Sequence, residues 1–274
     1  MTPSLAELIA AGAPLTDELL VDCHCHMGKW PRFGVYEGDA EGMLRTMDRC
    51  GLDVAACSHH AAIGPDTRYG NDEVERAMLK WPDRFVGYCA LNGRHSEESI
   101  VDELERRIGR AGFSGIKLHP SVHQCPVDTP TLTPAFELAD QRGLPVLVHT
   151  WHNDSLASPA AFERLASTYT KAAFILGHTG GTAEGAEQYL PVAREHDNIY
   201  LDLTGSMMQF GVIEMLVNEM GDERVLYGSD LPFIDCRPML GYIGFARVPD
   251  DSKRRILGLN AARLFGLTPP WGLV

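Results

Sequence analysis

The chain has 274 residues, 45% hydrophobic and 22% charged, the balance of a globular protein with enough length to bury a substantial core. Twenty-four Lys and Arg against 37 Asp and Glu leave a net charge of −13, which disfavours nucleic acid and anionic membranes as partners but allows a local pocket for a small anion. No apolar run approaches the ~18 residues of a membrane span.

The N-terminal MTPSLAELIAAGAPL has no Lys or Arg ahead of its short apolar run, and Glu7 interrupts it, so it is a poor signal peptide. Strand-like runs follow at Leu19–Cys23, Val54–Ser58, Phe85–Leu91, Gly115–Leu118, Leu144–His149, Ala172–Leu176, Ile199–Leu203 and Val225–Gly228. Near-continuous apolar runs of this length suit parallel strands buried on both faces. Helical patterns lie between them, at Ala40–Cys50, Asn71–Lys80, Glu97–Arg110, Thr133–Arg142, Ala160–Ser167, Ala183–Glu195 and Phe210–Met220. Asp251–Gly258 and Ala261–Phe265 continue the helical layer. The strands recur roughly every 25 to 30 residues, the period of βα units. Eight such units in one chain predict a single-domain (β/α)8 TIM barrel spanning 1–274. A doubly wound open sheet is the alternative, but it usually carries a Gly-rich phosphate loop after an early strand, and none is present.

Barrel chemistry sits at the C-terminal ends of strands. The first strand leads into Asp22-Cys23-His24-Cys25-His26. Residues two apart on a strand share a face, so His24 and His26 can reach one metal ion, while Cys23 and Cys25 point together to the other side. The same parity puts Lys117 and His119 on one face at the fourth strand. His149 closes the fifth, His178 follows the sixth and Asp230 follows the eighth. A single histidine after an apolar run is usually a structural residue, and an aspartate after Gly-Ser is usually a turn residue. Their joint placement at successive strand mouths points to a metal site instead. Three histidines and a carboxylate leave a position open for water, as in catalytic zinc sites, with manganese and iron as other candidates. Asp22 either orients a histidine from one layer deeper or binds backbone at the barrel floor.

These motifs resemble the amidohydrolase superfamily, and within it the amidohydrolase-2 branch that includes aminocarboxymuconate-semialdehyde decarboxylase. The matching residues are Asp22–His26, Gly115–Pro120, Pro145–His149, Gly177-His178 and Tyr227–Pro232, with Asn260–Phe265 similar to the closing helix. The resemblance implies one divalent metal, zinc first, held by His24, His26, His149 and Asp230. It also implies Asp230 as general base and His178 beside the metal, acting on bound water or substrate. Other branches use a carboxylated strand-four lysine to bridge two metals; here a single ion is expected, and Lys117 is a candidate for a substrate carboxylate.

The first expectation is hydrolysis of a small amide, ester or lactone by metal-activated water. Non-oxidative decarboxylation of an aromatic or muconate-type acid at the same site is the alternative, and a non-catalytic ligand-binding barrel is the second. Short loops place hydrolysis ahead, because the decarboxylases are longer chains with larger insertions. Substrate readers are sought after the strands: Lys117, His119, Trp151 and Arg237, with Lys29, Trp30, Arg32, His59, His60, Arg68 and His152 as further loop candidates whose ordinary role is structural or solvated. Seven scattered cysteines read as reduced thiols, and the expected location is the cytoplasm. The expected partner is a small-molecule substrate. A homodimer would suit the fold, although nothing in the helices predicts its interface.

Overall fold

The computed structural model describes residues 3–205 and 209–267. Eight parallel strands follow one another in sequence order around a barrel: β1 Val21–Met27, β2 Val54–His59, β3 Phe85–Leu91, β4 Gly115–Leu118, β5 Pro145–His149, β6 Ala173–Gly177, β7 Ile199–Asp202 and β8 Val225–Leu226. β8 is short: its pairing with β7 ends at Leu226, and Tyr227 N–H donates to Ile256 O at 2.9 Å instead. Cys23 N–H donates to Tyr227 O (2.9 Å), Asp230 N–H to His24 O (2.9 Å) and His26 N–H to Leu231 O (2.8 Å), which joins the first strand to the last. This is the expected (β/α)8 TIM barrel.

Helices cover the outside where the apolar periodicity places them. Ala40–Cys50 starts on Asp39, whose side chain accepts from Gly42 N–H, and stops at Gly51 with φ 76°. The helix expected from Asn71 begins at Thr67 instead, because Asp66 caps it by accepting from Tyr69 N–H. Glu97–Leu104 passes into a π-helical turn, Glu105–Arg110, which carries Arg107 inward; only 1% of its side chain is exposed, and it pairs with Glu103, Asp72 and Glu75. Among the described residues four further α-helices lie beyond those read from sequence: Leu5–Ala10, His60–Ile63, Pro120–His123 and Arg237–Phe245. Among the described residues no helix is long and apolar enough to cross a membrane.

The core has two layers. Val21, Val86, Leu147, Ile175 and Leu226 fill the barrel, and Ala261, Ala262 and Phe265 plug its N-terminal end. A larger layer, including Met43, Phe136, Phe162 and Leu216, fills the space between strands and helices.

The first strand departs from simple alternation. Asp22 pairs with Ala55 but Cys25 pairs with Cys57, so β1 carries one more residue than β2 over this stretch, a β-bulge. Cys23 therefore packs inside the barrel with Val21, while Cys25 packs outward in the helix layer. The expectation that the two cysteines share a face is corrected by this extra residue. All seven cysteines are free thiols.

Candidate active site

The C-terminal ends of β1, β5, β6 and β8 converge on one cleft of about 260 Å³. Its lining includes His26, His60, His119, His149, His178 and Asp230, walled by Trp30, Phe33, Ile63, Trp151, Phe233 and Ile234. A larger hollow of about 740 Å³ opens at the other end of the barrel, around Leu19, Asp53, Val86 and Leu267, and has no histidine in its wall.

At the floor of the cleft, His24 Nε2 and His26 Nε2 lie 3.1 Å apart, and Asp230 Oδ1 lies 3.5 Å from the first and 3.3 Å from the second. These three buried residues form a set whose ligand atoms all lie within 4.8 Å of one another. His149 is not in that set. Its ring lies one layer outward, 4.7 Å from His178 and stacked on His119 at 4.0 Å between centroids.

Each ligand-type side chain is turned by a partner. His24 Nδ1 faces Asp202 Oδ2 at 2.7 Å, and His26 Nδ1 faces Ser58 Oγ at 2.8 Å, which leaves both Nε2 atoms towards Asp230. Asp230 has φ 63° and His178 φ 65°, left-handed positions that non-glycine residues take at a cost of order 1–3 kcal/mol and that turn these side chains back over the barrel. Gly228 lets the strands close here: a Cβ on it would lie 2.1 Å from Thr204 Oγ1 and 2.3 Å from Asp202 Oδ1.

Burial sets the protonation states. It pushes His26 down to about 3 and holds His24, His119 and His149 well below the ordinary histidine range, so each is a neutral imidazole with a lone pair. Burial alone would raise the Asp230 carboxyl, but His178, His24 and His26 outweigh it and hold the group well below the usual carboxylate range. Lys117 is fully buried and its Nζ donates to His24 Nε2 at 2.7 Å; burial lowers its ammonium to about 8.

The donor set fits a divalent metal. Asp230 Oδ1 is buried with no hydrogen-bond partner, and the Nε2 atoms of His24 and His26 face it. A cation among the three would satisfy all of them, and two imidazoles with a carboxylate suit zinc, manganese or iron. An ion on His24 Nε2 would displace the hydrogen bond from Lys117.

The remaining sequence candidates separate into two groups. His60, His119, Trp30 and Trp151 line the cleft. Arg237 does not: 75% of its side chain is exposed and it grips Asp235. Arg68 pairs with Asp102 and Glu103, and Lys29 and His59 line a separate hollow beyond the loop after β1. Asp22 holds backbone, accepting from His24 N–H and Ser229 N–H at 3.1 Å each, rather than orienting an imidazole. The carboxylate that does so, Asp202, escaped the sequence reading. It ends β7 within Leu201-Asp202-Leu203, where a lone acid in an apolar run at a strand mouth was the available signal.

A family profile described as Amidohydrolase matches residues 21–267. The 2-amino-3-carboxymuconate-6-semialdehyde decarboxylase of Dictyostelium discoideum is 25% identical over 244 residues, 74% of this chain and 67% of that protein. The gamma-resorcylate decarboxylase of Rhodococcus jostii (strain RHA1) is 22% identical over 255 residues, 73% of this chain and 76% of that protein. A dihydroxybenzoic acid decarboxylase from Polaromonas sp. JS666, solved with manganese and 2-nitroresorcinol, superimposes with a TM-score of 0.71 at 17% identity, covering 91% of this chain and 97% of that one. With the profile spanning nearly the whole barrel, the chain belongs to the amidohydrolase family, in its amidohydrolase-2 branch.

Proposed function

We propose that the protein is a metal-dependent, non-oxidative decarboxylase of small aromatic acids. The observation that carries this reading is the position of His24 Nε2, His26 Nε2 and Asp230 Oδ1 on the floor of a cleft walled by Trp30, Phe33, Trp151 and Phe233. The decarboxylases among its relatives support the reaction class, and they reverse the order in which hydrolysis and decarboxylation were expected. Loop length is the weaker guide, because it speaks to substrate arms and not to the chemistry of the floor.

His24, His26 and Asp230 would hold one divalent ion, manganese or zinc, with His149 from the adjoining wall as the further ligand. When bound, such an ion supplies Lewis-acid polarisation of substrate oxygens. The chain itself supplies walls, orientation and a proton. The indole and phenyl rings offer flat apolar faces against which an aromatic substrate can lie. His178 Nδ1 donates to Thr204 O at 3.3 Å and lies 4.0 Å from Asp230 Oδ2, and this side chain is assigned the delivery of the proton to the ring. The bond between ring and carboxyl carbon breaks, carbon dioxide leaves, and the electron pair retained on the ring carbon takes that proton. The exchange is redox-neutral and needs no further reactant.

The test is metal content followed by turnover. Protein purified without chelator should hold about one divalent ion per chain, lost in a His24→Ala/His26→Ala double variant. The metal-loaded protein should release carbon dioxide from hydroxybenzoates. Cleavage of lactones or amides without carbon dioxide release would restore the hydrolase reading. Folded protein that takes up no metal would refute both.

A further inference from the structure

Resting on the decarboxylase reading, we infer that this cleft selects aromatic acids with a single carboxylate and discriminates against rings that carry two. No Lys or Arg belongs to its lining. Lys117 is fully buried below the floor and outside that lining, Arg237 is held at the surface by Asp235, and Lys29 lines the separate hollow of about 660 Å³. Arg32 is exposed. The residues outside the described structure, 1–2, 206–208 and 268–274, include no Lys or Arg either.

A second carboxylate would therefore meet Trp30, Phe33, Ile63, Phe233 or Ile234. A charge pressed against such walls loses water without gaining a counter-charge. The acidic chain adds a long-range repulsion for each extra negative charge. The histidines tune the cleft in the same direction. His60 Nδ1 donates to Gly28 O at 2.8 Å, so its Nε2 keeps a lone pair, which accepts a ring hydroxyl and repels a carboxylate. His119 Nδ1 accepts from Val122 N–H, so its proton is on Nε2, one neutral donor suited to one carboxylate. The volume of about 260 Å³ lies below the ~300–1,000 Å³ usual for drug-sized ligands and matches a single substituted ring.

Isothermal titration of the metal-loaded protein tests this with 2,6-dihydroxybenzoate and 2-hydroxybenzoate against 2-hydroxybenzene-1,3-dicarboxylate. The monocarboxylates should bind about tenfold or more tightly than the dicarboxylate. Phe33→Arg, on the half-exposed rim, should reduce that gap about tenfold by offering a guanidinium, with metal content verifying an intact site. Phe233→Arg serves the same purpose if the first variant does not fold. Dicarboxylate binding as tight as or tighter than monocarboxylate, binding of neither, or a metal-loaded arginine variant with an unchanged gap would overturn the inference. Monocarboxylates that bind selectively without losing carbon dioxide would refute the decarboxylase reading and leave the selectivity intact. A dicarboxylate that binds tightly and is decarboxylated would do the reverse.

Discussion

His24 Nδ1 and Asp202 Oδ2 lie 2.7 Å apart with both side chains fully buried. Asp202 also accepts from Thr204 N–H (2.9 Å), Thr204 Oγ1 (2.6 Å) and His178 N–H (3.1 Å). A carboxylate can only accept, so the His24 proton sits on Nδ1 and the Nε2 lone pair faces His26 and Asp230. One residue at the end of β7 thus sets the tautomer of one site histidine and anchors the backbone of another.

Asp202→Asn tests that role. Its amide can donate to His24 Nδ1 and so favour the tautomer with a proton on Nε2, where it blocks a metal. Affinity for zinc or manganese should weaken by about 10–100-fold in a chelator competition titration. Nitrogen NMR of the metal-free protein should register the His24 proton moving between ring nitrogens. An unchanged tautomer with unchanged affinity would remove Asp202 from the support of the site.

Trp151 and Arg237 were both candidate substrate readers, and the fold separates them. Trp151 stacks parallel to His149 in the cleft wall, with ring centroids 6.0 Å apart. Trp151→Ala should raise KM about tenfold with metal content unchanged. Arg237→Ala should leave KM within about twofold, because its charge is spent on an exposed neighbour. Steady-state kinetics on one hydroxybenzoate compares the two, and the opposite ranking would move substrate contact to the rim.

The buried Arg107 is a matter of stability. Its Nε donates to Glu103 at 2.6 Å, and its remaining nitrogens engage Asp72 and Glu75. Arg107→Ala leaves the nearly buried Glu103 with only the more distant Arg68 (3.6 Å) and the Asn71 amide, so unfolding free energy should fall by about 3 kcal/mol in urea titration. A loss below about 1 kcal/mol would mean that water reaches these carboxylates once the guanidinium is gone.

Asp222 offers a pH readout. Its two oxygens receive Arg255 Nε and Nη2 at 2.8 Å each, and these hydrogen bonds hold its carboxyl below the ordinary aspartate value. A carboxyl depressed in the folded state adds stability that is present above the unfolded pKa and is lost as pH falls through the folded one. Asp222→Asn should therefore lower stability near neutrality and flatten the acid limb of a stability-versus-pH curve. An acid limb as steep as that of the unaltered protein would assign it to other carboxylates.

The barrel was legible because its strands are buried on both faces and read as apolar runs separated by amphipathic stretches. At β1 the apolar run stops at Cys23, and only the alternation of His24 and His26 carries the strand on towards its observed end at Met27. Asp22, His24 and His26 look like loop residues by polarity, yet they are buried because the site itself covers them. The bulge was invisible for a related reason: an extra residue shows only against the partner strand. His178 and Asp230 could be placed at strand mouths, but their left-handed backbone, which brings them over the floor, has no sequence signature in non-glycine residues. A search of the strand ends for histidine passed over Asp202, whose importance comes from a contact with a residue far away in the chain.

The seam that closes the barrel has a consequence for the order of events in the cell. His24 and His26 leave the ribosome well before Asp230. The hydrogen bonds that carry Asp230 to His24 and Leu231 to His26 are the ones that seal the ring. A nascent chain therefore presents two histidines without their carboxylate, and the three ligand-type atoms come together only after Asp230 has been made. A chain cut just before Asp230 would keep most of its strands and lack the assembled site.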